Sequence, residues 1–218
     1  MATLCSQPQF ALTEMVVWQE VDRIIAKRIR LPSYQTWKRR RLKVLEQYRK
    51  PEHWGIDPNA AFVRALAHSS DGHVLVAGTE QEGRALFLAA RGCAVTTLEH
   101  EEDAIERVIK AAAAAGLNER IRGYCTDIGD WSPDVELHAV VCSPSALSGL
   151  SMSDRARVIE VLQSATADGG VHLVETIAAG SEAVLLDELR SQYHGWRISI
   201  ESTAGRGGTF MARKEAVA

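Results

Sequence analysis

The stretch from His73 to Glu99 constrains this chain more than any other, because it reads as two strands joined by a helical crossover. His73-Val74-Leu75-Val76-Ala77 is apolar almost throughout and lacks the alternation of a half-exposed strand. Such a run suits a strand covered on both faces of a sheet. Gly78 follows at once. Ala85, Leu86, Leu88 and Ala89 then form one apolar face of a helix from about Gln81 to Arg91, closed by Gly92. A second short run, Ala94 to Leu98, ends in Glu99. Parallel strands need a crossover of about a dozen residues or more, and a helix is the usual one. The unit from Val74 to Glu99 therefore predicts a layered α/β fold with a parallel sheet.

The alternation continues toward the C-terminus. Glu101 to Ala115 predicts a helix with Ala104, Ile105, Val108, Ile109 and Ala112 inward and Gly116 at its end. Ile121 to Cys125 and Leu137 to Cys142 predict the third and fourth strands, leading to Asp127 and to Ser143-Pro144. Ser151 and Asp154 mark a capping box ahead of a helix carrying Val158, Ile159 and Leu162. Gly169-Gly170 turns the chain into a fifth strand, Val171 to Glu175. A helix over about Ser181 to Gln192 follows, and two late strands, Trp196 to Glu201 and Gly208 to Ala212, read as a hairpin. The expected fold class is α/β: a Rossmann-like, seven-stranded, mostly parallel sheet flanked by helices, with an N-terminal helical extension. The expected division is residues 1–57 as extension or cap and residues 58–218 as the α/β domain.

Ahead of that domain, Leu12, Val16, Val21, Ile24, Ile25 and Ile29 recur at helical spacing before Pro32. A second helix is expected from about Tyr34 to Tyr48, with Trp37, Val44 and Leu45 apolar. A third is expected from Pro58, with Asp57 as its N-cap and proline at the tolerated first position. Lys38-Arg39-Arg40-Arg41 with Lys43 is the densest charge run, and phosphate contacts use such clusters. Yet the chain carries 25 Lys and Arg against 28 Asp and Glu, a formal charge of −3. No aromatic residues interleave the run, as they do where single strands stack. A solvated face, or ion pairs with an acidic surface, is the preferred reading, and nucleic acid is not the expected partner. The helical layer could also cover a ligand pocket or form the face of a homodimer.

Cys5, Cys93, Cys125 and Cys142 have neither metal-ligand nor disulfide-framework spacing, and the seven histidines form no His-Glu-x-x-His pattern. No metal is expected. No apolar run approaches the ~20 residues that span a bilayer. The first ten residues lack the basic and apolar regions of a signal peptide. The expectation is a cytoplasmic protein without membrane contact.

On these residues the chain resembles the class I S-adenosylmethionine-dependent methyltransferases, over roughly residues 60–213. Val74 to Gly83 takes the place of the family's first strand and glycine-rich loop. Arg84-Ala85-Leu86-Phe87-Leu88-Ala89 with Arg91-Gly92 is similar to the small-molecule branch, which includes tellurite-resistance and thiopurine methyltransferases. The resemblance implies S-adenosyl-L-methionine as cofactor, with Gly78 and Thr79 in its loop. It implies that Glu99 holds the ribose hydroxyls, that His100 flanks the adenosine and that Asp127 receives the adenine amino group, with Asp130 as the alternative. It makes Cys142 a wall of the pocket. Gly169-Gly170 matches the turn before strand five. Gly207-Gly208 with Phe210 matches the entry to a last strand, which the resemblance inserts antiparallel beside the fifth.

The chain departs from the family at the loop. Val76 stands where an acid often occurs, and Glu80 and Glu82 stand where the second and third glycines are expected. Glycine there permits positive φ and close backbone approach. A glutamate forced to positive φ costs ~1–2 kcal/mol. Its carboxylate also opposes that of the cofactor unless it points away or meets the ammonium or sulfonium. Arg84, one helical turn beyond Glu80, is placed to neutralise it.

The expected function is methyl transfer to a small molecule, with acceptor and sulfonium held in line. No catalytic base is identifiable. Ser143-Pro144-Ser145-Ala146 keeps only the first proline of the motif found in amino-group methyltransferases, so an amine acceptor is not indicated. The alternative is a methyltransferase fold that has lost methyl transfer and serves as a binding, structural or repurposed protein; a dehydrogenase or a nucleic-acid methyltransferase is the more distant reading. Each candidate also has a plainer role. Glu99 could cap the next helix, and Asp127 could be a turn acid. Glu80 and Glu82 could be solvated acids in a first helical turn. Cys142 could be core.

Overall fold

Burial on two faces explains why the first strand is apolar from end to end. In the computed structural model, which describes residues 7–29, 33–66, 71–78, 81–177, 183–203 and 207–216, β1 (His73–Ala77) is central. The chain then runs through α4 (Glu82–Arg91), β2 (Ala94–Glu99), α5 (Glu102–Ala115) and β3 (Ile121–Cys125). Next come β4 (Leu137–Cys142), α6 (Pro144–Ser148), α7 (Met152–Ser164) and β5 (Thr166–Ile177). It ends with α8 (Ala183–Gln192), β6 (Trp196–Thr203) and β7 (Gly207–Lys214). Before β1 lie α1 (Gln7–Ile29), α2 (Tyr34–Tyr48), a 3-10 turn at Pro51–Trp54 and α3 (Ala61–Ala65).

The sheet has seven strands in the order β3-β2-β1-β4-β5-β7-β6. The first five are parallel, and β7 runs antiparallel to both β5 and β6. This is the mostly parallel, Rossmann-like sheet that the periodicity predicts, and the last strand is inserted beside the fifth as the resemblance implies. The strand order reverses at β1, whose two neighbours are β2 and β4. In open α/β sheets the crevice at the carboxyl ends beside such a reversal receives ligands.

Two apolar layers enclose the sheet. Val74, Val76, Val95, Ala139 and Leu173 pack with Phe62 and Phe87 on one face. Leu75, Ala77, Leu98, Val140, Cys142 and Phe210 pack with Val158, Ile159 and Leu189 on the other. Each fully buried large aliphatic or aromatic side chain contributes about 1.5–3 kcal/mol.

Several boundaries depart from expectation for local reasons. α3 starts at Ala61, because Asp57 Oδ1 accepts the Asn59 N–H at 2.9 Å and so caps a turn over 58–60 instead of a helix. Ile109 is 36% exposed, because the stripe of α5 centres on Val108, Ala112 and Ala115. β5 begins five residues early. Leu137 pairs with Thr166, then Ala139 with Val171, so residues 167–170 bulge out, with Gly169 at φ 77°. α6 is a helix that periodicity does not reveal. Ser151 caps α7 as expected, its Oγ accepting the Asp154 N–H at 3.1 Å.

The chain divides into two compact units, Met1–Glu46 and Gln47–Ala218. In the first, the Lys38–Arg41 run is exposed, with the Arg41 guanidinium 5.9 Å from the Trp37 ring centre. Val17, Trp18, Ile24 and Trp37 are also exposed. No described helix is long and apolar enough to cross a membrane. Among the described residues no group of three or more His, Cys, Asp or Glu side chains could hold a metal.

One polar chain runs through the core beneath β5. Thr166 Oγ1 donates to the Leu162 carbonyl at 2.6 Å, which leaves it as acceptor for His172 Nε2–H at 2.7 Å. His172 Nδ1 then accepts from the Tyr193 hydroxyl at 2.7 Å. Every group is satisfied only when the imidazole is neutral. Burial, reinforced by Lys214, pushes the His172 pKa from 6.5 to about 3. The unfolded chain therefore binds the proton first, and stability falls as pH drops below 6.5. For His172→Gln, chemical denaturation should show the deficit against wild type narrowing by about 2 kcal/mol between about pH 7.5 and about pH 5. An unchanged deficit would contradict the neutral network.

Candidate functional site

Main-chain bonds tie the ends of three strands together at the reversal point. The Gly78 N–H donates to the Leu98 carbonyl at 3.1 Å, and the Ser143 N–H donates to the Ala77 carbonyl at 2.9 Å. Gly78 sits at φ +96°, and a Cβ there would lie 2.0 Å from Ser143 Oγ and 3.1 Å from Ala146 Cβ. Both backbone angle and space exclude a side chain. Thr79 and Glu80 lie outside the described residues.

Glu99 closes β2 beside this turn. Its carbonyl accepts the Thr126 N–H at 3.0 Å, which fixes the end of β3 against it. Its side chain is buried, 5% exposed, and burial pushes its carboxyl above the usual carboxylate range, with His100 the main opposing influence. Among the described residues no side chain donates a hydrogen bond to it. A buried carboxylate in that state has a need for donors, and a vicinal diol would meet it.

The next residues are brought together in a way that sequence reasoning does not foresee. His100 Nδ1 contacts Asp127 Oδ1, so the two side chains assigned separate duties toward the adenine engage each other. Both are about half exposed. Cys125 Sγ donates to the His100 carbonyl oxygen at 3.2 Å. Asp130 is exposed and reaches Asp127 only through its main chain, N–H to carbonyl at 3.1 Å.

Ala77, Gly78, Leu98, Glu99, His100, Thr126, Ile128 and Ala146 line a cleft of about 190 Å³. Much of that space is open to solvent, and Glu99 is the acidic group that lines it. Cys142 is core: burial pushes its thiol up to about 12, and it does not line the cleft.

The start of α4 holds a second set of polar groups. Glu82 is its first residue and half-buried, and the preceding Gln81 is buried, with Oε1 lacking a hydrogen-bond partner among the described residues. Gly83, which ends the stretch likened to the glycine-rich loop, serves packing, since a Cβ there would lie 2.6 Å from the Trp54 carbonyl oxygen. Arg84 is paired by expectation with Glu80, but it reaches Glu175 on β5. Nε and Oε2 touch without hydrogen-bond alignment, so the contact is chiefly an ion pair. Burial raises the Glu175 carboxyl pKa, with Arg84 opposing. The Arg84 guanidinium also lies 5.8 Å from the Phe62 ring centre. The cue to this pair was an acid ending an otherwise apolar strand.

No protein-family model matches the chain, and no curated protein matches it. Solved structures do. TehB from Haemophilus influenzae superposes with a TM-score of 0.58 at 20% identity, over 71% of this chain and 61% of that one. The cyclase SpnF gives 0.57 at 17% identity, over 72% of this chain and 79% of that one. The N-methyltransferase NodS from Bradyrhizobium japonicum gives 0.52 at 14% identity, over 85% of this chain and 100% of that one. The chain thus spans less than two thirds of the length of TehB. These likenesses assign it the class I S-adenosylmethionine methyltransferase fold.

The turn at Gly78 makes a structural prediction independent of any ligand. Gly78→Ala should lose about 2–4 kcal/mol of stability, from left-handed strain and from the clash with Ser143. Adding Ser143→Gly should recover part of that loss in denaturant titrations. A neutral Gly78→Ala would contradict the close approach.

Proposed function

We propose that the cleft at the ends of β1 and β2 binds S-adenosyl-L-methionine and that the protein transfers its methyl group to a small molecule. The observation that carries this reading is Glu99, a buried carboxyl without a side-chain donor among the described residues, at the end of β2 in a sheet of methyltransferase order. Glu99 would accept the ribose hydroxyls. Gly78 would let the backbone approach the cofactor, and His100 with Asp127 would flank the adenine. Thr79, Glu80 and Glu82 would border the methionyl end, by their place in the sequence. The bound cofactor supplies an electrophilic methyl group on sulfur. The chain's own task is to orient the acceptor nucleophile in line with it and to keep water out. The run from Arg84 to Ala89 supports the small-molecule branch.

A second reading, a fold that binds without transferring methyl, is favoured by one feature. The cleft is tight, and Asp127 is already engaged by His100. The likeness to the cyclase SpnF supports it too, since one fold hosts unrelated chemistries.

Calorimetry with S-adenosylmethionine, S-adenosylhomocysteine and NAD tests the cofactor assignment on which methyl transfer depends. The first two should bind and NAD should not. Glu99→Gln should weaken binding by about tenfold or more, through loss of charge-assisted hydrogen bonds. Absence of binding by either sulfur compound at about millimolar concentration, weaker than about −4.1 kcal/mol, would overturn the cofactor assignment.

A further inference from the structure

We propose that β3, one of the two edge strands of the sheet, pairs antiparallel with β3 of a second copy of this chain about a twofold axis at Gly123. This interface stands apart from the cofactor reading and would survive its failure.

The first observation is the edge itself. β3 is terminal in the sheet order, and Ile121-Arg122-Gly123-Tyr124-Cys125 contains no proline. A bare edge presents a row of main-chain donors and acceptors for another strand, which proteins usually blunt with proline, bulges or charge. Here the only charge is Arg122, and the register below makes it attractive.

The second observation is an uncovered face. The connection from β3 to β4 must pass over β2 and β1, a lateral distance of about 14 Å at the usual strand spacing. It does so with residues 126–136 and no helix. On that side Arg122 and Tyr124 stand exposed, Tyr124 at 42%, beside a groove of about 480 Å³ that Thr96 and Trp131 also line. Arg122 has no ion-pair partner among the described residues. The other side of β3 is closed by α5: Ile121 is buried, and a Cβ at Gly123 would lie 2.9 Å from Ile105 Cγ2.

The third observation is self-complementarity. A twofold axis perpendicular to the sheet keeps like faces together, so the residues that can face Arg122 and Tyr124 are those at 120, 122, 124 and 126 of the partner subunit. Centring on Arg122 would oppose two guanidiniums. Centring on Tyr124 would leave Arg122 opposite a threonine. Centring on Gly123 sets Arg122 opposite Tyr124 of the partner subunit, twice, in an isologous contact. Directly opposed side chains sit about 4.5–5.5 Å apart, within the roughly 6 Å reach of a cation over a ring. The axis residue is the one without a side chain.

Sedimentation velocity on the full chain over a concentration series tests this. Wild type should show a concentration-dependent dimer. Tyr124→Arg brings a second guanidinium against that of the partner's Arg122 and should raise the dimer Kd by about tenfold or more. The exchange Arg122→Tyr with Tyr124→Arg restores both pairs, and should restore the dimer, only if the axis lies at Gly123. Circular dichroism melts show that each variant is folded. Three results would overturn the proposal. One is a wild-type monomer at the highest soluble concentration. Another is a dimer indifferent to Tyr124→Arg, which would move association to a surface such as the exposed residues of α1. The last is a folded double exchange that stays monomeric.

Discussion

Everything at the candidate site depends on one strand being shared by two neighbours. β1 is buried on both faces, hydrogen-bonded to β2 and β4, and followed without slack by a residue at positive φ. The apolar character of Val74 to Ala77 satisfies both helical layers. The reversal of strand order leaves a crevice at its carboxyl end. The Gly78 main chain then bridges to β2 while Ser143 bridges back from β4. Glu99 and His100 line that crevice because β2 is held in register with β1, and Asp127 meets it through His100. Remove the close approach at Gly78 and the geometry of all three strand ends changes together.

The site shows two opposing tendencies. Glu99 is desolvated, which disfavours its charged form and raises the worth of a hydroxyl donor to that carboxylate. His100 and Asp127 satisfy each other, and the Arg84–Glu175 pair occupies the start of α4. Glu99 thus lacks a side-chain donor among the described residues, while the flanking charges already have partners. Binding a whole nucleoside cofactor would require His100 to yield Asp127, or Asp127 to accept with its second oxygen.

The large features were readable from residues 73–214 because hydrophobic periodicity is a local property. Two-faced burial marks β1, a stripe of alanines marks α5, and glycine and serine mark their ends. What periodicity could not supply was contact between distant segments. Arg84 was matched to Glu80, its helical neighbour, because spacing along one helix is visible in sequence, whereas Glu175 is brought to it by the sheet. Gly83 falls in the stretch likened to the glycine-rich loop, yet the Trp54 carbonyl explains it. Asp57 carried the right residue type for a cap and capped a turn. The engagement of His100 with Asp127 had no sequence signal beyond proximity to two strand ends. The uncovered face of β3 was visible only as an interval too short for a helix, and strand order was needed to give that interval meaning.

The central claim is that the crevice beside Glu99 is a nucleoside-cofactor site. A crystal structure of the protein grown with S-adenosylhomocysteine tests it most directly. The account predicts the ribose hydroxyls within hydrogen-bonding distance of Glu99, about 2.5–2.7 Å for a hydroxyl on a carboxylate. It also predicts the adenine beside Asp127, with the His100 contact broken or shared. Ligand bound elsewhere, or bound in the crevice with Glu99 untouched and still buried, would contradict it.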